Sequence, residues 1–203
     1  MTDFSDHDPD LPRCGWVKPN DAFYCAYHDN EWGRPVVDSK VLFRKLILDG
    51  MQAGLSWITI LRKRENFMDA FDGLDPDKVA YYGPEKFDEL MQNAGIIRSK
   101  LKIKAAITNS QIYIKMRDEE GIDFSDYLWS FVGGEPIVNT WDKCTDAPVK
   151  SPESEALSKD LKKRGFKFVG PVIVYAFMQA VGMINDHTVT CHAYGPYEKP
   201  GQS

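Results

Sequence analysis

"NAGIIRSKLKIKAAITNSQIYIKMRDEEG", residues 93–121, decides the fold. Gly95 offers a residue able to take positive φ at the end of a preceding helix. Beyond it, Ala105, Ile107, Ile112 and Ile114 continue an apolar run with helical period. The stretch therefore predicts helix, hairpin, helix. Working outward toward the N-terminus, "GPEKFDELM" and "DPDKV" each place Pro just after a boundary residue and acids in the first turn, marking short helix starts. "LSWITILRKRENFMDAF" (Leu55 to Phe71) predicts one helix with Ser56 as its cap, and "DSKVLFRKLILDGM" (Asp38 to Met51) another, with Leu42, Phe43, Leu46 and Ile47 as its stripe. On the other side, "DFSDYLWSFVG" reads as a short aromatic helix and Gly134 to Lys150 as a long loop. "SPESEALSKDLKKRG" is a helix capped by Ser151, begun by Pro152 and closed by Gly165. "FVGPVIVYAFMQAVGMIN" is a core helix apolar nearly all round. No internal repeat and no alternating strand pattern stands out, so the fold class is mainly α.

The 203 residues, 43% of them hydrophobic and 27% charged, suit one globular domain and exclude a disordered or membrane-embedded chain. With neither a secretion signal nor a membrane span in the pattern, the cytoplasm is the expected location, and no membrane partner is expected. Residues 1–12 are acidic and proline-containing, the pattern of a mobile tail, leaving 13–203 as the domain. The formal net charge of −5 looks wrong for a nucleic-acid partner, yet four of the carboxylates (Asp3, Asp6, Asp8, Asp10) lie in that tail. The bases cluster in "RKR" (62–64), "RSKLKIK" (98–104) and "KDLKKRGFK" (159–167), and local patches rather than net charge steer phosphates.

Four cysteines in a reducing compartment point to metal before disulfide. In "NDHTVTCHAY", His187 and Cys191 are four apart, so a helical turn would bring them to one face. A structural zinc wants four N or S ligands, and the opposite end offers Cys14 and His28 first, with Cys25 and His192 as competitors. Such a site would clasp the two ends together.

Read in order, "RCGW", "AYHDNEWG", "QAGLSWITIL", "KREN", "AGIIR", "LSKDLKKRGFKFVG" and "NDH" with the following Cys191 resemble the 3-methyladenine DNA glycosylase I family, from about Arg13 to Cys191. The resemblance implies a monofunctional base-excision repair enzyme of the helix-hairpin-helix superfamily. Its zinc would be held by Cys14, His28, His187 and Cys191. It implies a pocket for a flipped alkylated base lined by Trp16, Tyr24, Tyr27, Trp32 and Trp57, with a carboxylate at Asp49. Gln52 to Trp57, including Gly54 and Leu55, would reach the DNA. The family pattern carries Glu where "LILDGM" has Asp49, and Gln where it has Met51.

The chemistry agrees with that assignment. A ring-methylated purine is cationic, so its glycosidic bond is weak and selection matters more than acid catalysis. Aromatic faces and a buried carboxylate favour a cation over neutral adenine. Leu55 is the expected wedge into the vacated stack, and Gly95, Arg98 and Lys100 the expected phosphate contacts. "LKIKAAITNSQIY" lacks the Asp that often follows the hairpin in the wider superfamily, consistent with the type I subgroup, and the resemblance to that subgroup implies base release without strand cleavage. The expected partners are double-stranded DNA with alkylated bases and free 3-methyladenine as product, with the enzyme a monomer. Two rivals are a binding module for damaged DNA that has lost turnover and a zinc hydrolase with an open metal position.

Overall fold

Asp21 opens the first helix, α1 (Ala22–Asn30), by accepting a hydrogen bond from the Tyr24 N–H at 3.2 Å. The sequence reading named no helix there, because its apolar residues follow no clear period. The computed structural model describes residues 8–195. Of the expected acidic tail, residues 1–7 lie outside the described residues; Pro12 accepts a hydrogen bond from the His192 N–H.

Helix α2 (Ser39–Gln52) starts as predicted, with Asp38 accepting from the Val41 N–H at 2.8 Å. Leu42, Phe43, Leu46 and Ile47 are buried, and toward its end Leu48, Asp49, Gly50 and Met51 are buried as well, so the last turn is enclosed on every side. The expected single helix from Leu55 to Phe71 is two, α3 (Trp57–Arg62) and α4 (Arg64–Ala70), broken at Lys63. Helix α3 faces two clusters, with Ile60 in the main core and Leu61 in a smaller one beside the site, whereas Phe67 of α4 lies in the main core. Ser56 precedes α3 but makes no cap; its hydroxyl pairs with that of Thr59.

Helices α5 (Pro76–Val79) and α6 (Pro84–Gln92) begin with Pro as the sequence indicated. The segment 93–99 turns the chain into α7 (Lys100–Asp118). Gly95 is not in the left-handed region, contrary to expectation; it is small because a Cβ would stand 2.9 Å from Asn93 Oδ1 and 3.2 Å from Asn66. In α7, Ala105 is buried and Ile107, Ile112 and Ile114 are half-buried, while Ile103, Ala106, Ser110 and Tyr113 form the fully buried face.

After α8 (Phe124–Trp129), the long loop contains a feature the pattern did not reveal. Its β1 (Ile137–Val138) pairs in parallel with β2 (Ile184–Asn185), and a Trp141–Thr188 bridge extends the contact. Two-residue strands are too short to register as alternation. Helix α9 (Pro152–Arg164) has the Ser151 cap, reciprocated by Ser154, and ends at a left-handed Gly165. The core helix α10 (Pro171–Ala180) is shorter than its apolar run, because Gly170–Pro171 starts it and the chain turns at Gly182 (φ +73°). Helix α2 packs against α3, α7, α8 and α10, so the buried end of α2 lies at the molecule's centre. Among the described residues no helix is long and apolar enough to cross a membrane.

Candidate active site

At that end of α2 a cavity of about 210 Å³ opens. Trp16, Tyr24, Tyr27, Trp32, Trp57 and Asp49, all six residues that the resemblance assigned to base binding and catalysis, line it. The aromatic wall is continuous: Trp16 lies 5.1 Å from both Tyr24 and Trp32, centroid to centroid, Tyr24 stacks on Tyr27 at 6.4 Å, and Tyr27 meets Trp57 at 5.5 Å. Helix α1 carries the two tyrosines three apart on one face, and Trp16 and Trp32 flank that helix.

Asp49 is only 2% exposed. Both its oxygens accept hydrogen bonds from the Lys45 ammonium, at 2.7 and 2.8 Å, one helical turn earlier. The same ammonium stands 3.9 Å from the centre of the Trp57 ring. Burial pushes the Asp49 carboxyl up and Lys45 down, each opposed by the charge of the other. Burial, with the nearby Asp49 charge, also holds the Tyr27 phenol well above its ordinary value. Met51, where the resemblance led to an expected Gln, is buried in the main core, and it is Gln52 that lines the cavity.

Behind the aromatic wall, Cys14, His28, His187 and Cys191 are buried together, with donor atoms all within 4.8 Å of one another. His187 Nδ1 lies 3.4 Å from both Cys14 Sγ and Cys191 Sγ, and His28 Nε2 lies 3.4 Å from Cys191 Sγ. A tetrahedral ion bound through sulfur and nitrogen sets such edges at about 3.6 Å, so the donor set fits one. Hydrogen bonding from Cys14, then from His187 and His28, drives the Cys191 thiol strongly down, while the same sharing drives Cys14 up. The other nitrogen of each histidine is fixed too: His28 Nδ1 meets Asp29 at 2.8 Å and His187 Nε2 meets the Trp32 carbonyl at 3.2 Å. Gly33, at φ +79°, is required here, since a Cβ would come within 2.7 Å of His187 Nε2. A turn closed by Cys191 N–H on Thr188 O, not the expected helical turn, joins His187 to Cys191. Of the competitors, Cys25 donates to the Lys18 and Pro19 carbonyls, and His192 pairs with Asp29. The clasp and the cavity share a wall, since Trp32 contacts the His187 ring at 4.6 Å and Trp16 that of His28 at 5.3 Å.

On the outer surface, Leu55 is 41% exposed and Gly54 has φ +78° with open space around it. Arg98 and Lys100 are exposed where the segment 93–99 enters α7, whereas the Gly95 N–H is turned inward to Asn93 Oδ1 at 2.8 Å. Lys102 departs from the reading of its cluster as a solvated, phosphate-steering face. It is buried, and its ammonium reaches back to the Met51 and Ala53 carbonyls at 2.8 and 2.7 Å, where it also meets the negative end of α2. Sequence reasoning missed Lys45, Gln179 and Asp186 in the cavity lining. The spacing of four between Lys45 and Asp49 was the available signal for the first.

The family model for methyladenine glycosylase matches residues 16–194. The chain is 52% identical over 190 residues to DNA-3-methyladenine glycosylase 1 of Escherichia coli (strain K12), covering 94% of this chain and all of that one. A crystal structure of 3-methyladenine DNA glycosylase I superposes with a TM-score of 0.88 at 48% identity, covering 90% of this chain and 100% of the other. The Staphylococcus aureus 3-methyladenine DNA glycosylase I, solved to explain its recognition of 3-methyladenine, gives 0.84 at 38% identity over 88% of this chain and 95% of its own. Near-complete coverage on both sides, with the cavity in place, means that the chain belongs to the methyladenine glycosylase family and is a DNA glycosylase.

Proposed function

We propose that the protein is a monofunctional glycosylase that removes 3-methyladenine from alkylated double-stranded DNA and leaves the strand uncut. The observation that carries this reading is the cavity walled by five aromatic side chains with the buried Asp49 carboxylate among them. A methylated adenine rotates out of the duplex, at a cost of a few kcal/mol of stacking, and Leu55 fills the gap. Inside, aromatic faces attract the desolvated cation by about 2 kcal/mol. Asp49 adds a charge-assisted hydrogen bond, and Lys45 fixes that carboxylate's orientation. The C1′–N bond breaks with its electron pair passing to the base, which leaves neutral. Water supplies oxygen to C1′ and gives up a proton. The Lys45 amine is held in its ion pair, which argues against its use as a strand-cleaving nucleophile.

Cys14, His28, His187 and Cys191 would hold a structural zinc, which when bound cross-links the two ends of the domain. Four protein ligands leave no position for a catalytic water, which disfavours the hydrolase alternative. The segment 93–99 between α6 and α7 would serve as the hairpin of a helix-hairpin-helix unit, with Arg98 and Lys100 on a phosphate; the Gly95 N–H, engaged by Asn93, is not free to join them. The same reading makes the protein a monomeric cytoplasmic enzyme with one domain over 13–203. Free-base chromatography after incubation with methylated duplex DNA tests it. A 3-methyladenine peak is expected; undiminished DNA binding with no released base would instead identify a non-catalytic damage-binding module.

A further inference from the structure

Three charged side chains line the cavity: Lys45, Asp49 and Asp186. The first two form an ion pair and cancel, so Asp49 alone does not give the cavity a net charge. Asp186 is different. It is 3% exposed, and each oxygen accepts two hydrogen bonds, from Asn139 Nδ2 and Trp141 Nε1 at 2.7 Å on Oδ1, and from Tyr175 Oη at 2.6 Å and Gln179 Nε2 at 2.7 Å on Oδ2. All four partners are neutral. They hold the carboxylate in place and satisfy its oxygens without neutralising its charge.

Deepening the base-excision reading and resting on it, we propose that Asp186 is a specificity-determining residue: it supplies the uncompensated negative charge by which the cavity prefers a cationic nucleotide to a neutral one. Positive charge moves from the methylated base toward the sugar as the bond breaks, and a fixed anion in the wall serves both positions. Preorganisation makes the effect available without rearrangement. The donors come from the loop after β1 and from α10, so the charge is fixed from two sides.

The test compares binding of two duplexes, one with a cationic pyrrolidine abasic-site analogue and one with its neutral tetrahydrofuran counterpart. Wild type, Asp186→Asn and Gln179→Lys are measured. The lysine variant keeps the carboxylate but neutralises it in place, and decides the matter if the asparagine variant does not fold. Wild type is expected to favour the cationic duplex, and each folded variant to lose about tenfold of that preference, the effect of one charge at several ångströms in a partly screened site. Any change in affinity for the neutral duplex should be smaller than the change for the cationic one. Retention of the wild-type preference by the folded variants, or equal weakening toward both duplexes, would overturn the role and leave Asp186 a structural hub. Release of 3-methyladenine by wild type, measured in parallel, separates the two failures: no release defeats the enzymatic reading, whereas release with unaltered cation preference defeats only the role of Asp186.

Discussion

Asp49 and Lys45 form a buried pair whose two members depend on each other, so replacing either one exposes the other's desolvation cost. Asp49→Asn retains the shape of the side chain but removes a charged hydrogen bond of about 1.5–3 kcal/mol, and 3-methyladenine release should fall roughly ten- to a hundredfold. Circular dichroism should show the fold intact, and an unchanged single-turnover rate would remove Asp49 from the chemistry. At this scale the sequence was informative wherever a residue belonged to a long motif: the six residues that the resemblance assigned to the base line one cavity, and the four that it assigned to a metal lie together behind it. Asp186 stayed hidden because its partners lie as far away as Asn139, and nothing in local spacing announces a hydrogen-bond hub assembled from distant segments.

The elements around the cavity divide into a rigid frame and an exposed edge. Lys102 ties α7 to the last carbonyls of α2, and so fixes where the loop carrying Gly54 and Leu55 leaves the helix. Leu55→Ala and Arg98→Ala should each weaken duplex binding without loss of bound metal. In a salt titration only the arginine variant should flatten the slope, by about one counterion. Normal binding by both would remove this surface from the DNA-contact model. Away from the site, the Arg117 guanidinium, with Lys40, holds the Asp77 carboxyl down at about 2 and so joins α5 to α7 and α2. A depressed carboxyl stabilises the fold above its unfolded value of about 4, and that contribution disappears as pH falls toward 2. Thermal melts from pH 5 to 2 should therefore fall less steeply for Asp77→Asn than for wild type. Helix boundaries were legible at Asp38, Pro76, Pro84 and Ser151 but not at Asp21; the break at Lys63 was hidden because an apolar period continues across it.

Across the whole molecule, the clasp fixes the wall on which the cavity depends, since Trp16 and Trp32 rest directly on its histidine rings. Stripping metal with a strong chelator should lower Tm by several degrees, at about 2–4 °C per kcal/mol for a chain of this size. Cys191→Ser should do the same without chelator; no change in either melt would show that the cluster does not stabilise the fold. The mainly helical class and the joining of the two ends were both readable in advance, the first from apolar period and the second from where Cys and His cluster. The parallel pairing of 137–138 with 184–185 was not, because four residues carry no pattern. That long-range closure also bears on how the protein is made. Cys14 and His28 leave the ribosome early, but their partners at 187 and 191 follow only after most of the domain has been translated. A nascent chain therefore cannot bring the four side chains behind the cavity wall together until residues 187–191 have been made.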